Sequence, residues 1–245
     1  MKKQIPNAIT LCNLLCGCIA TIYALQGELP FAAGFVVLGI FLDFFDGMFA
    51  RILKVESEIG LQLDSLADMI TSGLVPGIFM VQLLFMSGVH PTPVNLWNEA
   101  HFALDTANFF PVLGLLIVLA SAFRLAKFNV DTRQTSSFIG LPTPANALLI
   151  ISLPLILIYQ PSEIAFQLIL NPWFLMVLTV FSCYLLNAEI PLFSLKFKTK
   201  SFKANSLRYL FLLLSIVLLV SFWFVAIPIV IFLYVVLSVL FKEKK

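Results

Sequence analysis

Long apolar runs separated by short polar breaks dominate the chain. Eight stretches, roughly 8–26, 30–52, 59–87, 109–130, 144–160, 166–187, 206–224 and 226–241, are almost continuously hydrophobic. Each is near the ~20 residues needed to cross a bilayer, the last two being short and closely joined. The breaks have the character of turns and loops. Gly27–Leu29 with Pro30 reads as a short turn, Ser87–Asn108 as a longer polar loop, Pro161–Glu163 as another short turn and Glu189–Ser206 as a basic linker. The pattern predicts an all-α, polytopic membrane helix bundle of about eight transmembrane helices.

Composition agrees. Of 245 residues, 60% are hydrophobic and 11% charged, whereas a soluble domain carries about 25% charged residues. The cysteines do not suggest disulfides, since Cys12, Cys16, Cys18 and Cys183 all fall inside apolar runs. Cys12 and Cys16 lie one turn apart with no histidine nearby, so packing suits them better than a soft metal. The basic, then apolar N-terminus resembles a signal peptide. Its apolar run continues to Ala24 without a small-residue cleavage site, so it reads as an uncleaved first helix.

Net charge is only +2, but its distribution is informative. With the N-terminus placed inside, all 15 lysines and arginines fall in inside segments and none in outside loops. The positive-inside rule then puts both termini in the cytoplasm of a multi-pass protein of the cell membrane.

Against this background one stretch stands out. Asp43–Asp68 reads DFFDGMFARILKVESEIGLQLDSLAD and holds four aspartates between apolar runs. A carboxylate at the centre of a membrane helix costs about 2.5–3.5 kcal/mol on the translocon scale. Four of them imply bound cations. At about 100° per residue, Asp43, Asp46, Gly47 and Ala50 share one helix face with Arg51 at its edge. On a following helix Gly60, Asp64, Ala67, Asp68 and Thr71 share another. The linker 52–59 has no long apolar run, so the two acidic faces meet in a short hairpin at the cytoplasmic surface. Hard oxygen ligands suit magnesium, manganese or calcium. Gly47 and Ala50 add no bulk, and Arg51 offers a fork for phosphate. Together these features point to chemistry on a diphosphate.

The pattern Asp43-x-x-Asp46-Gly47-x-x-Ala50-Arg51, eight residues, Gly60, three residues, Asp64, three residues, Asp68 resembles the signature of the CDP-alcohol phosphotransferase family, with every position filled. The entry segment Pro6-Asn7-Ala8-Ile9-Thr10-Leu11, followed by Asn13, is also similar. Its residues alone show only a proline-led helix start, and capping or packing explains them as well as a role at the site. The resemblance implies a six-helix core, so that residues 1–187 form the family's membrane domain and 188–245 a basic linker with a C-terminal transmembrane hairpin. It implies two divalent cations, Mg2+ or Mn2+, on Asp43, Asp46, Asp64 and Asp68, with Asp68 as catalytic base. Gly47, Ala50, Arg51 and Gly60 would line the CDP-diacylglycerol, and the protein would be a homodimer.

A second run, Ser121–Ala145, narrows the acceptor. It is similar to the R-L-A-R-F-N and G-L-P-x-P segments of bacterial and archaeal phosphatidylserine synthases, with Lys127 where an arginine is usual. Arg124 and Lys127 share a helix face, and Asn129 follows. Snorkelling to lipid headgroups is the alternative for the two cations; the resemblance makes Arg124, Lys127 and Asn129 candidates for binding serine. The implied reaction moves a phosphatidyl group from CDP-diacylglycerol to L-serine and releases CMP. The alternatives are the same chemistry with glycerol 3-phosphate, an inositol compound or choline, and, from another class, a cation or proton path in a transporter. Arg51 and the open glycines have no use in the latter. The basic linker, interleaved with phenylalanines, suits either an ordinary positive-inside loop or an anionic lipid surface, and not nucleic acid.

Overall fold

The computed structural model describes residues 4–88, 109–131, 138–193 and 205–241. Lys2, Lys3, Arg133, Lys196–Lys203 and the last three lysines of the basic segments lie outside them, as does most of the Ser87–Asn108 loop. The described residues form a helix bundle. Helices α1 (Gln4–Leu25) and α2 (Leu29–Leu53) make an antiparallel pair, joined by a turn in which Gly27 takes a positive φ of 81°. Helix α3 (Glu58–Asp68) runs through a π-helical turn, Met69–Leu74, into α4 (Val75–Gly88). Pro76 has no N–H to offer the carbonyl of Ser72, and the widened turn lies directly before it. A 3-10 turn, Phe110–Leu115, leads into α5 (Leu116–Val130). Helix α6 (Thr143–Tyr159) starts at the Gly140–Pro144 turn. Then come α7 (Glu163–Ile169), α8 (Pro172–Asn187) and the helical run α9 (Ser206–Leu240).

The core is built on α4 and α6, which are apolar all round and buried all round, as expected of helices enclosed by other helices. Phe79, Met80, Leu83, Leu149, Ile150 and Ile151 are among its most buried side chains. The outer helices present phenylalanines, leucines and isoleucines at their surface, such as Phe31, Phe41, Phe44 and Leu119. In water that surface would be a liability; against lipid it is the fitting one.

Among the described residues five helical runs are long and apolar enough to cross a membrane, and a sixth counts if α7 and α8 are one broken span. Two differences from the sequence reading have local causes. The stretch 166–187 is not one straight helix. Asn171 caps α8 by accepting from the N–H groups of Trp173 and Phe174, Pro172 begins it, and α7 meets it at 62°. The run α9 is not one straight helix either. Trp223 departs from helical geometry at φ 48°, ψ −119°, and the Phe211 and Tyr234 rings lie 5.5 Å apart. Residues 23 positions apart on a straight helix would be about 34 Å apart, so arms 206–222 and 224–240 fold back as a hairpin. The turn falls at Trp223, not at residue 225. With α9 divided and α6 counted, the eight predicted stretches each have a helical counterpart.

The contacts of the charged side chains gather at one end of the bundle. There Thr10 of α1 meets Asp46 of α2, Ser65 of α3 meets Asn129 of α5, and Arg124 of α5 meets Leu186 of α8. A two-residue antiparallel pair, β1 (Phe138–Ile139) with β2 (Pro191–Leu192), ties the entry of α6 to the exit of α8. Tyr234 and Ser238 of the hairpin close on Phe193 beside it. Among the described basic residues, Arg51, Lys54, Arg124, Lys127 and Arg208 all belong to segments that reach this end.

Candidate active site

The site is built by the α2–α3 junction. Helix α2 ends on Lys54, which adopts the left-handed conformation (φ 54°, ψ 46°) and turns its N–H back to the carbonyls of Ala50 and Arg51. Three residues later Ser57 caps α3 by accepting from the N–H of Gly60 at 3.1 Å. The link is therefore four residues, 54–57, tighter than the predicted 52–59. This hairpin places the two acidic faces against each other and opens a cavity of about 520 Å³ between them. Asp46, Gly47, Ala50, Arg51, Gly60 and Asp64 all line it, together with Pro6, Asn7 and Thr10 from the start of α1. A Cβ added at Gly47 would meet nothing within 4 Å, so the backbone there is open to the cavity. At Gly60 it would come within 3.2 Å of the Asn7 Oδ1 and 3.1 Å of the Ser57 Oγ.

The four aspartates form two tiers. In the upper tier Asp46 is nearly buried, at 4% exposure, and accepts from the Thr10 hydroxyl at 2.5 Å; Asp64 faces it across the cavity. One turn deeper lie Asp43 and Asp68, the latter 8% exposed. Ligand oxygens of Asp43, Asp46 and Asp64 lie within 4.8 Å of one another. Asp68 adjoins them, next to Asp43 and Asp64. The Oδ1 atoms of Asp43 and Asp68 are buried with no hydrogen-bond partner, and among the described residues no lysine or arginine forms an ion pair with any of the four. Carboxylates this close and this dry need positive charge between them. A hard, oxygen-seeking divalent cation fits that donor set. The residues suit the group.

The second predicted constellation lies apart from this cavity, beside a small crevice lined by Arg124, Lys127, Ile139 and Leu186–Ala188. Arg124 is 7% exposed, and its Nη1 donates to the carbonyls of Ile139 (2.9 Å) and Leu186 (2.8 Å). Lys127 forms an ion pair with Glu189 at 3.3 Å. Asn129 donates to the Ser65 hydroxyl at 2.9 Å, which connects α5 to the helix carrying Asp64 and Asp68. All three predicted serine ligands thus have partners within the protein, and Asn129 alone touches an element of the acidic site. Gly140 closes the crevice at a φ of +75°, where a Cβ would sit 2.8 Å from the Leu186 carbonyl and 2.9 Å from Arg124 Nη1.

Sequence reasoning gave too little weight to α1. Thr10 binds an acid directly, Asn7 touches the cavity wall, and Asn13 lies beside Asp68. The signal was present in the spacing: residues 7, 10, 13 and 17 recur at three, three and four, the interval of one helix face.

The family model for CDP-alcohol phosphatidyltransferase matches residues 3–185, from the start of α1 to the end of α8. A CDP-diacylglycerol–serine O-phosphatidyltransferase of Bacillus subtilis is 34% identical over 142 residues, covering 58% of this chain and 70% of the relative. The protein of the same name from Helicobacter pylori is 31% identical over 148 residues, 60% of this chain and 55% of the relative. An archaetidylserine synthase of Methanothermobacter thermautotrophicus is 29% identical over 167 residues, 67% of this chain and 64% of the relative. The match therefore spans 55% to 70% of the length of these curated relatives.

Proposed function

The chain belongs to the CDP-alcohol phosphatidyltransferase family, and we propose that it moves the phosphatidyl group of CDP-diacylglycerol to the hydroxyl of L-serine, giving phosphatidylserine and CMP. One observation carries the transferase chemistry: four clustered aspartates, two of them buried and none with a cationic partner among the described residues, lie at an open cavity at one end of a membrane bundle. Serine rests on the names of the relatives and on the Ser121–Ala145 run. The end that bears the cavity faces the cytoplasm, where the nucleotide-linked lipid presents its headgroup while its acyl chains remain in the bilayer.

Gly47, Ala50, Arg51 and Gly60 receive the cytidine diphosphate moiety; the bare backbone at Gly47 lets it approach, and the Arg51 guanidinium reads phosphate oxygens through two N–H groups. Asp43, Asp46, Asp64 and Asp68 hold two divalent cations, magnesium or manganese, which when bound neutralise the diphosphate and the departing CMP. Without them the carboxylates would repel the substrate, since among the described residues Arg51 is the one cationic side chain lining the cavity. Thr10 fixes the rotamer of Asp46 by its hydroxyl. Asp68 takes the proton of the serine hydroxyl as that oxygen attacks the lipid-side phosphorus. A P–O bond to serine forms, the P–O bond to CMP breaks, and the electron pair leaves on CMP.

The test is an acceptor screen. Membranes carrying the protein receive CDP-diacylglycerol and magnesium or manganese with serine, glycerol 3-phosphate, inositol or choline in parallel. CMP release with phosphatidylserine formation in the serine sample alone is expected. Turnover with glycerol 3-phosphate instead would replace serine and leave the family chemistry standing. No CMP release with any alcohol would end the transferase reading.

A further inference from the structure

Helix α1 supplies more to the acidic site than Thr10. Helices α1 and α2 run antiparallel, with Thr10 opposite Asp46; one turn deeper, Asn13 comes level with Asp43. Asn13 is fully buried, yet both its Nδ2 and its Oδ1 lack a hydrogen-bond partner. Buried polar groups in native proteins are almost always partnered, and each exception calls for an explanation. Its surroundings are closely fixed. The hydroxyl of Thr71, on the π-helical turn just after Asp68, donates to the Asn13 carbonyl at 3.2 Å. The Asn13 Oδ1 lies only 2.8 Å from where a Cβ on Gly39 would sit, so that end of the amide packs against bare α2 backbone. The other end is left for the Asp68 carboxylate beside it, whose Oδ1 is also buried and unpartnered. An amide N–H and a carboxylate oxygen are complementary, and here the two orphans are neighbours.

We propose that Asn13 is a positioning residue for the transfer step: its Nδ2 donates to Asp68 Oδ1 in the loaded enzyme and turns the other carboxylate oxygen toward the acceptor hydroxyl. This rests on the reading of Asp68 as the group that takes the acceptor proton. It gives the second tier the same device as the first. Thr10 orients Asp46 and Asn13 orients Asp68, both from one face of α1. It also accounts for Gly39, the position on α2 where any side chain would displace the amide.

The experiment compares Asn13→Asp, Asn13→Ala, Asp68→Asn and the Asn13→Asp/Asp68→Asn pair in purified, lipid-reconstituted protein. Rates are measured with whichever alcohol the unmodified protein accepts, so a wrong acceptor assignment does not affect the outcome. Asn13→Asp keeps the shape and removes the donor, and Asn13→Ala removes it without adding charge. Both should lower kcat by about 10- to 100-fold, the range for losing a hydrogen bond to a charged group. KM for CDP-diacylglycerol, manganese binding followed by electron paramagnetic resonance, and the unfolding temperature should stay as in the parent. In the Asp68→Asn background, Asn13→Asp should cost nothing further, because a residue that acts through Asp68 has nothing left to act on. The proposal is overturned by unchanged kcat in Asn13→Ala, by losses that multiply in the double variant, or by a fall in unfolding temperature together with weakened CDP-diacylglycerol binding, which would make Asn13 a packing residue. Wild-type turnover in Asp68→Asn alone would remove the base assignment beneath it; a dead Asp68→Asn beside a fully active Asn13→Ala would remove only the present inference.

Discussion

Two charged constellations lie at the same end of this bundle, and they are solved in opposite ways. Around Arg124 the protein supplies its own partners: two backbone carbonyls for the guanidinium, Glu189 for Lys127 and Ser65 for Asn129. Around Asp43, Asp46, Asp64 and Asp68 the described residues supply a threonine hydroxyl to Asp46 and leave the Oδ1 atoms of Asp43 and Asp68 buried and open beside a cavity. Charge in a membrane protein is expensive in either place. Where the chain satisfies it internally, the charge holds segments together. Where the chain declines to, the satisfaction arrives from outside, as substrate and cations. In sequence the two runs look alike, each a polar cluster at a helix end. The difference is legible only in the partners.

The largest break in this comparison comes from removing what the acidic site waits for. Excess chelator should abolish turnover, and magnesium or manganese should restore it. Asp43→Ala and Asp64→Ala should raise the metal concentration required for half-maximal rate or eliminate activity altogether. Titration of CMP release against free metal measures both, and full activity after extensive dialysis into chelator would remove the cation cluster. Next in size is Asp68→Asn. General-base catalysis is typically worth ~10²–10⁴-fold, and the rate should fall by that amount while CDP-diacylglycerol binding, followed by displacement of a fluorescent analogue, persists. Retention of more than about a tenth of the rate would transfer the proton to another group.

How far the sequence carried the reading depends on how local the signal was. The acidic motif, the α2–α3 hairpin and the pocket residues Gly47, Ala50, Arg51 and Gly60 were legible because helical spacing alone puts them on facing sides. Long-range pairings were not. Nothing in the run after Ser121 says that the Arg124 guanidinium will find the carbonyl of Leu186, 62 residues on, or that β1 and β2 will pair. From sequence alone Asn13 stays open between capping or packing and a role at the site, because its value lies in what it adjoins. The break in α9 was legible as a hairpin, since the apolar residues from 206 to 241 are too many for one span, but its position depends on the backbone of Trp223 and on Gln160, which no periodicity reveals. The π-helical turn before Pro76 was likewise invisible to a count of hydrophobic positions.

A smaller effect sharpens the contrast from the side of the clamp. Arg124→Lys keeps a cation but loses the planar donor that spans two carbonyls. Hydrogen bonds to charged groups contribute about 1.5–3 kcal/mol, so the variant should unfold at lower temperature, with KM for serine moving by no more than a few-fold. Gly140→Ala should act in the same direction, because its Cβ would press on the Leu186 and Ala188 carbonyls from a positive φ. Thermal unfolding and serine kinetics on the same samples decide the matter. A tenfold or larger rise in serine KM at unchanged stability would make Arg124 a ligand of the acceptor carboxylate, and the two constellations would then be one site.

The smallest expected effect lies at the far end of the bundle, where the chain uses the clamp device without charge. Gln160, the residue that ends α6, donates from Nε2 to the carbonyl of Phe222 at 3.0 Å and accepts at Oε1 from the N–H of Val225 at 3.2 Å. It thereby bridges backbone groups on the two sides of the break at Trp223, and Tyr159 stacks on Phe224 alongside it, with ring centroids 5.5 Å apart. Gln160→Leu keeps the bulk and removes both hydrogen bonds. Neutral hydrogen bonds contribute about 0.5–1.5 kcal/mol each, and the Gln160–Phe222 bond is solvent-exposed, so water or lipid headgroups can take over part of its role. The variant should lose on the order of 1 kcal/mol of stability and none of its catalytic rate, since the acidic cavity is at the opposite end. Fluorescence-detected unfolding is suited to the measurement because Trp223 sits in the turn. If turnover fell in step with hairpin stability, the C-terminal arms would be coupled to the acid site through α6, and the division between a region that waits for ligand and regions that only hold the frame would no longer stand.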